Sequence, residues 1–403
     1  MNTALFVDTW SHGRFFTDEV AKELSKHSKV YFLHADKFYE IKQSYSAKLE
    51  TLNVCDLDGY NMSVDKTLDD IQPDVVIFVS MHGIFHRWIN QICELRGIKT
   101  LFFMHGVRFI RNERSPTTPH NRKTFNQKLK RAIFYLKHWY YFIKDLIFCK
   151  KHKKVTVKFV TLLIKSFFEM FIYNHRFSDC PKYKWGLEYE TICINTKYDK
   201  LYFENFVGQK NVNKMIVSGH LTSRRAAIDS FNIQNFKRNQ ILFISQPLVS
   251  ANYIEADQYF EILIQLKEKV ECETSCEFVV RPHPRDDVAF IQKLKDNQFN
   301  VSTFDDFSTD LAQAKVVIGF NSSALLGCMD MGLPIAIVAY KSIPLLDALK
   351  RYDLSIEVDF NHLEGEELAE FTTWLQRMAF NDVELKAPRE SEKIISDQVL
   401  SLF

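Results

Sequence analysis

Short apolar runs alternate with longer polar stretches along the N-terminal part of the chain. The runs are TALFVD (3–8), KVYFLHAD (29–36), DVVIFVS (74–80) and KTLFFMHG (99–106). Nearly continuous apolar runs are typical of strands that are buried on both faces of a parallel sheet. Between the first two runs, TDEVAKELSKH (17–27) begins with a possible Thr cap and has apolar residues at a helical spacing. The pattern therefore predicts strands and helices in alternation.

A second series of the same kind begins near residue 214. Its predicted strands are KMIVSG (214–219), QILFISQPL (240–248), CEFVVRP (276–282), KVVIGF (315–320) and LPIAIVAY (333–340). Helical segments, YFEILIQLKEKV (259–270) and SSALLGCMDMG (322–332), lie between them. A chain of 403 residues is long enough for two domains. We predict two Rossmann-like α/β domains, 1–205 and 206–403, joined within NFVGQKNVN (205–213).

A basic insert, 120–178, interrupts the first domain. Residues 120–158 include twelve Lys or Arg and a single acidic residue, Asp145, interleaved with aromatics in RAIFYLKHWYYFIKDLIF (131–148). We predict a helical hairpin that lies on anionic lipid, with the cations on headgroups and the aromatic and aliphatic side chains below them. The alternative is a helical excursion that packs on its own domain.

The second half of the insert, VTVKFVTLLIKSFFEMFIY (155–173), is long enough to span a bilayer. Lys158, Lys165 and Glu169 interrupt it, and each is costly at the centre of a bilayer. We therefore expect an interfacial segment.

Charge and cysteine content narrow the function classes. A net charge of +2 argues against a protein that coats nucleic acid over its whole surface. No recognised nucleic-acid-binding module accompanies the basic insert. The eight cysteines show no framework spacing, which favours reduced thiols. The N-terminus resembles no secretory leader. We expect a cytoplasmic protein, peripheral at the inner face of the membrane, that binds no nucleic acid.

One predicted strand of the second series ends in RPHPRDD (281–287), where an apolar run changes abruptly to charged residues and prolines. Ligands of open parallel sheets bind beyond the carboxyl ends of the strands. The prolines, Pro284 among them, stiffen this loop and stop the strand. Arg281, His283 and Arg285 suit a phosphate, and the alternative is a charged surface turn.

Two other strand ends in this domain supply further polar groups. In GFNSSALLGCMDMGLP (319–334), Ser322 and Ser323 stand where a helix should begin, so hydroxyls and helix amides would bind an anion. Taken alone, this motif could be only a helix cap. The other strand ends in Ser245, Gln246 and Pro247. Three such strand ends in one domain favour a nucleotide site.

The segments ISQPL, RPHPR and GFNSSALLGCMDMGLP resemble the nucleotide-binding half of GT-B glycosyltransferases that use CMP-activated sugars. This group includes bacterial sialyltransferases, polysialyltransferases and Kdo transferases of capsule and lipopolysaccharide assembly. The resemblance covers about residues 190–345. It implies a GT-B fold, with two Rossmann-like domains facing a cleft. A looser resemblance is to CDP-glycerol glycerophosphotransferases, which also pair a His-Pro loop with a Ser-Ser helix start.

The resemblance also implies roles for individual residues. His283, Ser322 and Ser323 would bind the phosphate of the CMP donor, and Gln246 and Pro247 would border the nucleotide. The first domain lacks the acidic pair followed by glycine that often supplies the base in such sialyltransferases.

The catalytic base is therefore left open. The candidates are Asp8, His82, His105 and Glu113. His105 lies in an MHG sequence that resembles an element of the glycerophosphotransferases, and a histidine suits removal of a proton from a sugar hydroxyl. Three arginines would hold the donor carboxylate or an anionic acceptor, namely Arg108, Arg111 and Arg224. For each of these residues a structural role is the alternative.

We expect a glycosyltransferase that moves an ulosonic acid, a sialic-like nonulosonic acid such as pseudaminic acid or else Kdo, from a CMP donor. The acceptor would be a lipid-linked or polymeric glycan of a surface polysaccharide. No Asp-x-Asp motif stands at a convincing strand end, so we expect no metal and no further cofactor. The alternatives are a CDP-glycerol or CDP-ribitol phosphotransferase, and a noncatalytic scaffold for polysaccharide assembly.

Overall fold

The structure is a computed structural model of the 403-residue chain. It describes residues 1–7, 14–34, 53–81, 84–104, 133, 136–137, 139–145, 161, 164–165, 186–206, 214–219, 221, 238–249, 253–283, 286, 288–302, 307–320, 322, 324–340, 349, 351–359, 365–381 and 390–403.

The first sheet consists of seven parallel strands in the order β3-β2-β1-β4-β5-β6-β7. Their bounds are β1 Thr3–Val7, β2 Lys29–His34, β3 Asn53–Asp56, β4 Val75–Phe78, β5 Lys99–Phe103, β6 Thr191–Ile194 and β7 Met215–Val217. The four apolar runs that predict strands near the N-terminus form β1, β2, β4 and β5. Every residue of β1 and β4 is buried, as expected for a parallel sheet that is covered on both faces.

The second sheet consists of six parallel strands in the order β10-β9-β8-β11-β12-β13. Their bounds are β8 Gln240–Ile244, β9 Glu277–Arg281, β10 Asn300–Val301, β11 Ala314–Gly319, β12 Ile335–Ala339 and β13 Ser355–Asp359. Both sheets therefore place their first strand next to their fourth, as in doubly wound folds. The predicted pair of Rossmann-like sheets is confirmed.

Ten α-helices with defined bounds lie within the described part of the chain. They are α1 Arg14–Leu24, α2 Val64–Ile71, α3 Ile84–Arg96, α4 Asp199–Phe206, α5 Ala256–Glu273, α6 Val288–Asp296, α7 Phe307–Gln313, α8 Ala324–Asp330, α9 Gly365–Phe380 and α10 Ser391–Leu400. The predicted helices at 17–27, 259–270 and 322–332 correspond to α1, α5 and α8.

Both faces of the second sheet are buried. On one face, Phe243 of β8 and Val316 of β11 belong to a hydrophobic cluster with Leu263 of α5 and Leu375 of α9. On the opposite face, side chains such as Leu242 are also fully buried. Helices thus cover both sides of the strands, and the carboxyl ends of the strands are left as the edge where polar side chains collect.

The boundary between the two units differs from the one expected at 205/206. The run KMIVSG, which was expected to open the second domain, forms β7 and pairs with β6, with Met215 beside Ile192. The first unit therefore continues to Ser218, and the chain passes into the second unit at Gly219, whose φ of 85° favours glycine. The sequence of a three-residue apolar strand does not indicate which sheet the strand joins. That depends on which strand edge lies next to it in the folded protein.

The C-terminal residues belong to the first unit rather than to the domain that precedes them. Helix α10 packs against α1, and the Ser396 hydroxyl donates to the Val20 carbonyl at 3.4 Å. The predicted second domain, 206–403, therefore wrongly includes residues 391–403, which belong to the first unit. Strand β3 was also missed, because its sequence NVCD lies at an exposed sheet edge and lacks an apolar run.

Part of the basic insert packs on the first unit. Its described helical residues, 133, 136–137 and 139–145, are called the insert helix below. Trp139 and Phe142 are buried, with ring centroids 5.7 Å apart, and Phe142 lies 6.1 Å from the ring of Trp88 in α3. One face of the insert helix therefore contacts its own domain. Among the helices of the described chain, none is both long and apolar enough to cross a membrane.

Asp145 attaches the insert helix to the start of α2. Its carboxylate accepts hydrogen bonds from the Ser63 hydroxyl and from the Val64 amide, both at 2.7 Å. Ser63 is the N-cap residue of α2, and Asp145 satisfies a further amide of its first turn. Burial raises the pKa of Asp145 to about 6, although both hydrogen bonds oppose that shift.

We expect replacement of Asp145 by asparagine to remove a pH dependence of stability. Since the folded-state pKa is raised, the stability associated with this carboxyl is present at low pH and is lost as pH rises through about 6. Relative to the Asp145→Asn variant, the natural protein should lose about 2 kcal/mol between about pH 4.5 and pH 7. Urea unfolding of both proteins across this range measures the difference. A difference that stays constant, or that grows in favour of the natural protein, would contradict the prediction.

Candidate functional site

The carboxyl ends of β8, β9 and β11 carry the three predicted motifs along one edge of the second sheet. β8 lies between β9 and β11, so Ser245, His283 and Ser322 follow adjacent parallel strands. In the order β10-β9-β8-β11-β12-β13, the topological switch point lies between β8 and β11. Ligands of doubly wound sheets bind at this position. The described residues of the three motifs are therefore brought together, and their role as ligand contacts stays a prediction.

Asp286 connects two of these strand ends. One of its carboxylate oxygens accepts hydrogen bonds from the Ser245 hydroxyl and from the His283 amide, both at 2.7 Å. The Asp286 amide in turn donates to the His283 carbonyl at 2.8 Å. The carboxylate thus holds the His-Pro loop against the end of β8. This role of Asp286 is not predicted above, although an Asp in a proline-containing loop is a known signal of side-chain to backbone bonding.

Tyr259 of α5 also belongs to this hydrogen-bond network. Its hydroxyl lies 3.1 Å from the Ser245 hydroxyl, and because Ser245 donates its one proton to Asp286, Tyr259 is the donor. The Tyr259 ring is buried and stacks at 5.6 Å on Phe320, which follows β11. Burial raises the pKa of Tyr259 well above its usual range, so it stays protonated.

Ser245 is used within the protein through both of its donors. Its hydroxyl donates to Asp286, and its amide donates to the Arg281 carbonyl at 2.9 Å. These two bonds connect the end of β8 to Asp286 and to β9. Gln246 and Pro247, which follow it, are only partly buried, and they line the cavity described below.

Arg281 has a structural partner. Its guanidinium forms an ion pair with Asp310 of α7, which is buried, and lies 5.1 Å from the centre of the Phe307 ring. Asp310 also accepts from the Ser302 hydroxyl at 2.8 Å. This arrangement ties β9 and β10 to α7. A contact between Arg281 and a phosphate stays a prediction, and such a contact would have to share the guanidinium with Asp310.

Ser322 lies at the start of α8. Its hydroxyl accepts from the Ala324 amide at 3.3 Å, and its carbonyl accepts from the Leu325 amide at 3.1 Å. The first bond uses a lone pair of the hydroxyl and leaves the O–H as a donor. Ser322 therefore caps the helix, which is one of the two roles that its sequence context predicts. Its hydroxyl proton would suit an anion bound at the start of the helix.

A cavity of about 290 Å³ adjoins the Asp286 network. Its lining residues include Gln246, Pro247, Tyr259, Phe260, Phe290 and Lys293. The Lys293 ammonium lies 4.2 Å from the centre of the Phe260 ring and 3.1 Å from a carboxylate oxygen of Asp257. Apolar rings with a few polar groups at the rim are typical of small-molecule sites. The sequence does not reveal this cavity, because its walls come from two helices and a loop.

A second, open cavity of about 370 Å³ runs along the edge of the same sheet at β10. Gln240 and Glu277, which begin β8 and β9, contribute to its lining. It therefore reaches the amino ends of these strands. This second cavity is not included in the candidate site, because ligands of parallel sheets bind at the carboxyl ends of the strands.

Several predicted site residues lie outside the described part of the chain. They are Asp8, His82, His105, Arg108, Arg111, Glu113, Arg224, Pro284, Arg285 and Ser323. Their roles stay predictions. In the first sheet, β1 ends at Val7 and pairs with β4. The switch point of that sheet lies between these two strands.

Comparisons with known proteins identify the fold. No family model matches the sequence, and no curated protein is recognisably similar to it. The structure is similar to CalG4, the calicheamicin glycosyltransferase, at 14% identity and a TM-score of 0.52, covering 100% of this chain and 95% of that one. It is also similar to MurG of Acinetobacter baumannii at 11% identity and a TM-score of 0.48, covering 100% of both chains.

A further similar structure is that of the wall teichoic acid polymerase TagF, at 9% identity and a TM-score of 0.45, covering 100% of this chain and 88% of that one. The likeness to CalG4 shows that the chain has the GT-B fold, with two parallel-sheet α/β domains. The predicted fold class is thus confirmed.

Proposed function

We propose that this protein is a glycosyltransferase that moves an ulosonic acid, such as a sialic-like nonulosonic acid or Kdo, from a CMP donor to a surface-polysaccharide acceptor. One observation carries the proposal: His283 and Ser322 follow the two strands that flank β8, at the carboxyl edge of a GT-B sheet whose switch point lies between β8 and β11. The sequence around both residues resembles that of CMP-sugar enzymes. The structural neighbour CalG4 is itself a glycosyltransferase.

The proposed chemistry requires charge on the departing phosphate to be met by protein donors. The bond from the anomeric carbon to the phosphate oxygen breaks, and a bond to the acceptor oxygen forms. His283 would donate a hydrogen bond or a proton to the phosphate, and Ser322 with the first amides of α8 would bind the same group. The Asp286 hydrogen bond to the His283 amide keeps this loop in place. The proposal assigns no metal to the reaction.

The acceptor hydroxyl must lose a proton as its oxygen attacks. In this proposal the base is one of Asp8, His82, His105 and Glu113. Arg108, Arg111 or Arg224 would pair with the donor carboxylate. The nucleoside would occupy the cavity of about 290 Å³ beside Gln246 and Pro247. A planar base would pack against the aromatic and proline side chains of the lining, and the backbone and amide groups at the rim would supply specificity.

A second candidate is a CDP-glycerol or CDP-ribitol phosphotransferase. The sequence feature that favours it is the MHG element together with the His-Pro loop and the Ser-Ser helix start. Both activities use the same strand ends, and the nucleotide product distinguishes them. A noncatalytic scaffold for polysaccharide assembly would keep the fold without turnover.

The experiment is calorimetric binding of CMP, CDP, UDP and GDP to the purified protein and to its Ser322→Ala variant. We expect CMP to bind with preference, and the variant to bind it about 10-fold or more weakly, since a hydrogen bond to a charged group is lost. The matched control is Ser25→Ala in the first unit, whose hydroxyl donates to the Lys22 carbonyl at 2.9 Å.

The outcomes separate the candidates. Preference for CMP leads to a transfer assay with CMP-linked ulosonic acids, and turnover there supports the proposal. Preference for CDP would favour the phosphotransferase, and preference for UDP or GDP would contradict both. If none of the four nucleotides binds to the folded protein, the scaffold is the better account.

A further inference from the structure

The insert helix has two faces with different surroundings. Trp139, Phe142 and Asp145, spaced by three residues, are buried against the first unit. Residues three and four apart lie on one side of a helix, so these three form its docked side. The contacts of Phe142 with Trp88 and of Asp145 with Ser63 hold this side in place.

The other face exposes large apolar side chains. Ile133, Leu136, Tyr140 and Ile143 are exposed by 57%, 50%, 61% and 40%. Their spacings of three, four and three residues place them in a single stripe along the helix. Ile164, from the second half of the insert, is exposed as well. Five of the eleven exposed large hydrophobic residues in the described chain thus belong to the insert. Such a concentration marks an interaction surface.

The sequence of the insert carries charge of almost one sign. Residues 120–158 contain twelve basic residues and one acidic residue. The acidic residue, Asp145, is buried and accepts bonds from Ser63 and Val64. It therefore adds no negative charge to the exposed side. Lys137 is exposed and Lys144 partly exposed, and their seven-residue spacing places both along one side of the helix.

We infer that the exposed face of the insert helix binds an anionic lipid bilayer, with the helix parallel to the membrane surface. The apolar stripe enters the boundary between headgroups and acyl chains, and the lysines lie on headgroup phosphates. Tyrosine suits this depth because its ring is apolar and its hydroxyl is polar. This inference goes beyond the proposed function, since it holds whichever donor the enzyme uses.

Two other partners fit the surface less well. A symmetric contact with a second copy of the chain would bring the same basic segments together, and like charges repel. A nucleic acid would pair with the cations, yet its phosphodiester backbone leaves the apolar stripe exposed to water. A bilayer with anionic headgroups satisfies both the stripe and the charge.

The experiment is co-sedimentation of the full chain with vesicles of phosphatidylcholine alone and of an equimolar mixture with phosphatidylglycerol. We expect binding to the anionic vesicles that weakens as salt is added. The double variant Leu136→Glu/Ile143→Glu should bind them about tenfold or more weakly, because apolar burial is lost and two negative charges are placed against anionic headgroups.

The matched control is Ile264→Glu/Phe380→Glu, which makes the same type of change at exposed positions of the second unit. Circular dichroism and sedimentation velocity test whether each variant keeps the fold and size of the natural protein. Three results would overturn the inference: no vesicle binding by the natural protein, equal binding to neutral vesicles, or unchanged binding by the insert variant. A change in oligomeric state confined to the insert variant would favour a second copy instead. Nucleotide binding, measured separately, reports on the proposed function.

Discussion

Replacing His283 by alanine is expected to lower the rate of sugar transfer from a CMP donor by about 10²- to 10³-fold. The proposed role of the imidazole is to donate to the phosphate oxygen as the bond to the sugar breaks, and positioned proton donors contribute about this much. The ring is partly exposed at the end of β9. The loop itself is held through the His283 amide, which donates to Asp286 at 2.7 Å. Since alanine keeps this amide, the variant should fold.

The measurement is kcat and KM for a CMP-linked ulosonic acid, once calorimetry has identified the donor. His283→Gln separates two roles, because glutamine retains a hydrogen-bond donor and lacks proton transfer. If His283 acts only by hydrogen bonding, the Gln variant should recover much of the rate. The matched control is His27→Ala, an exposed histidine of the first unit. Full activity of His283→Ala with an intact fold would show that the proposed mechanism is wrong.

Replacing Asp310 by alanine is expected to destabilise the second unit by about 3–5 kcal/mol, which is typical for breaking one side of a buried ion pair. Asp310 is 1% exposed and pairs with Arg281, whose side chain is 19% exposed. Without the carboxylate, the guanidinium remains in a poorly hydrated site beside Phe307, and the Ser302 hydroxyl loses its acceptor. The cost comes mainly from the guanidinium, which loses the buried carboxylate that balances its charge.

Urea unfolding followed by fluorescence and circular dichroism measures this loss, with the transition of the second unit fitted separately where it is resolved. The double variant Arg281→Met/Asp310→Ala should lose less stability than Asp310→Ala, because it removes both charges. Asp257→Ala is the matched control, since Asp257 is 96% exposed and its pairing with Lys293 should contribute little. An equal loss in the single and double variants would contradict the ion-pair explanation.

The predicted ligand motifs show which features of the site can be recognised from local sequence. RPHP, SQPL and NSS could be recognised because each follows an apolar run, and parallel strands end at one edge of their sheet. The sequence cannot indicate which donors are already used within the protein. Ser245 and Arg281 both have internal partners, Asp286 and Asp310, that are separated from them by 41 and 29 residues. Long-range pairs of this kind depend on how neighbouring loops pack.

For the basic insert too, the sequence predicts the kind of surface, and the tertiary structure is needed to show which side chains are exposed. Its composition indicates a cationic, aromatic surface, and both interpretations, lipid contact and packing on its own domain, follow equally from that composition. The structure shows that Trp139 and Phe142 pack on the first unit while Leu136 and Tyr140 remain exposed. Helical periodicity alone cannot decide which apolar stripe faces the core when apolar residues surround most of the helix.

The sequence by itself determined most of the buried strands and predicted the sheet edge at which a ligand would bind. Buried parallel strands are nearly continuous apolar runs, and their ends are marked by prolines, serines and charges. Only the tertiary structure decided that β7 joins the first sheet, that Asp286 fixes the His-Pro loop, and that Asp145 is buried at the start of α2. The physical reason is that strand pairing, desolvation and hydrogen bonding depend on distances between segments that are remote in sequence, whereas apolar periodicity is a property of each segment alone.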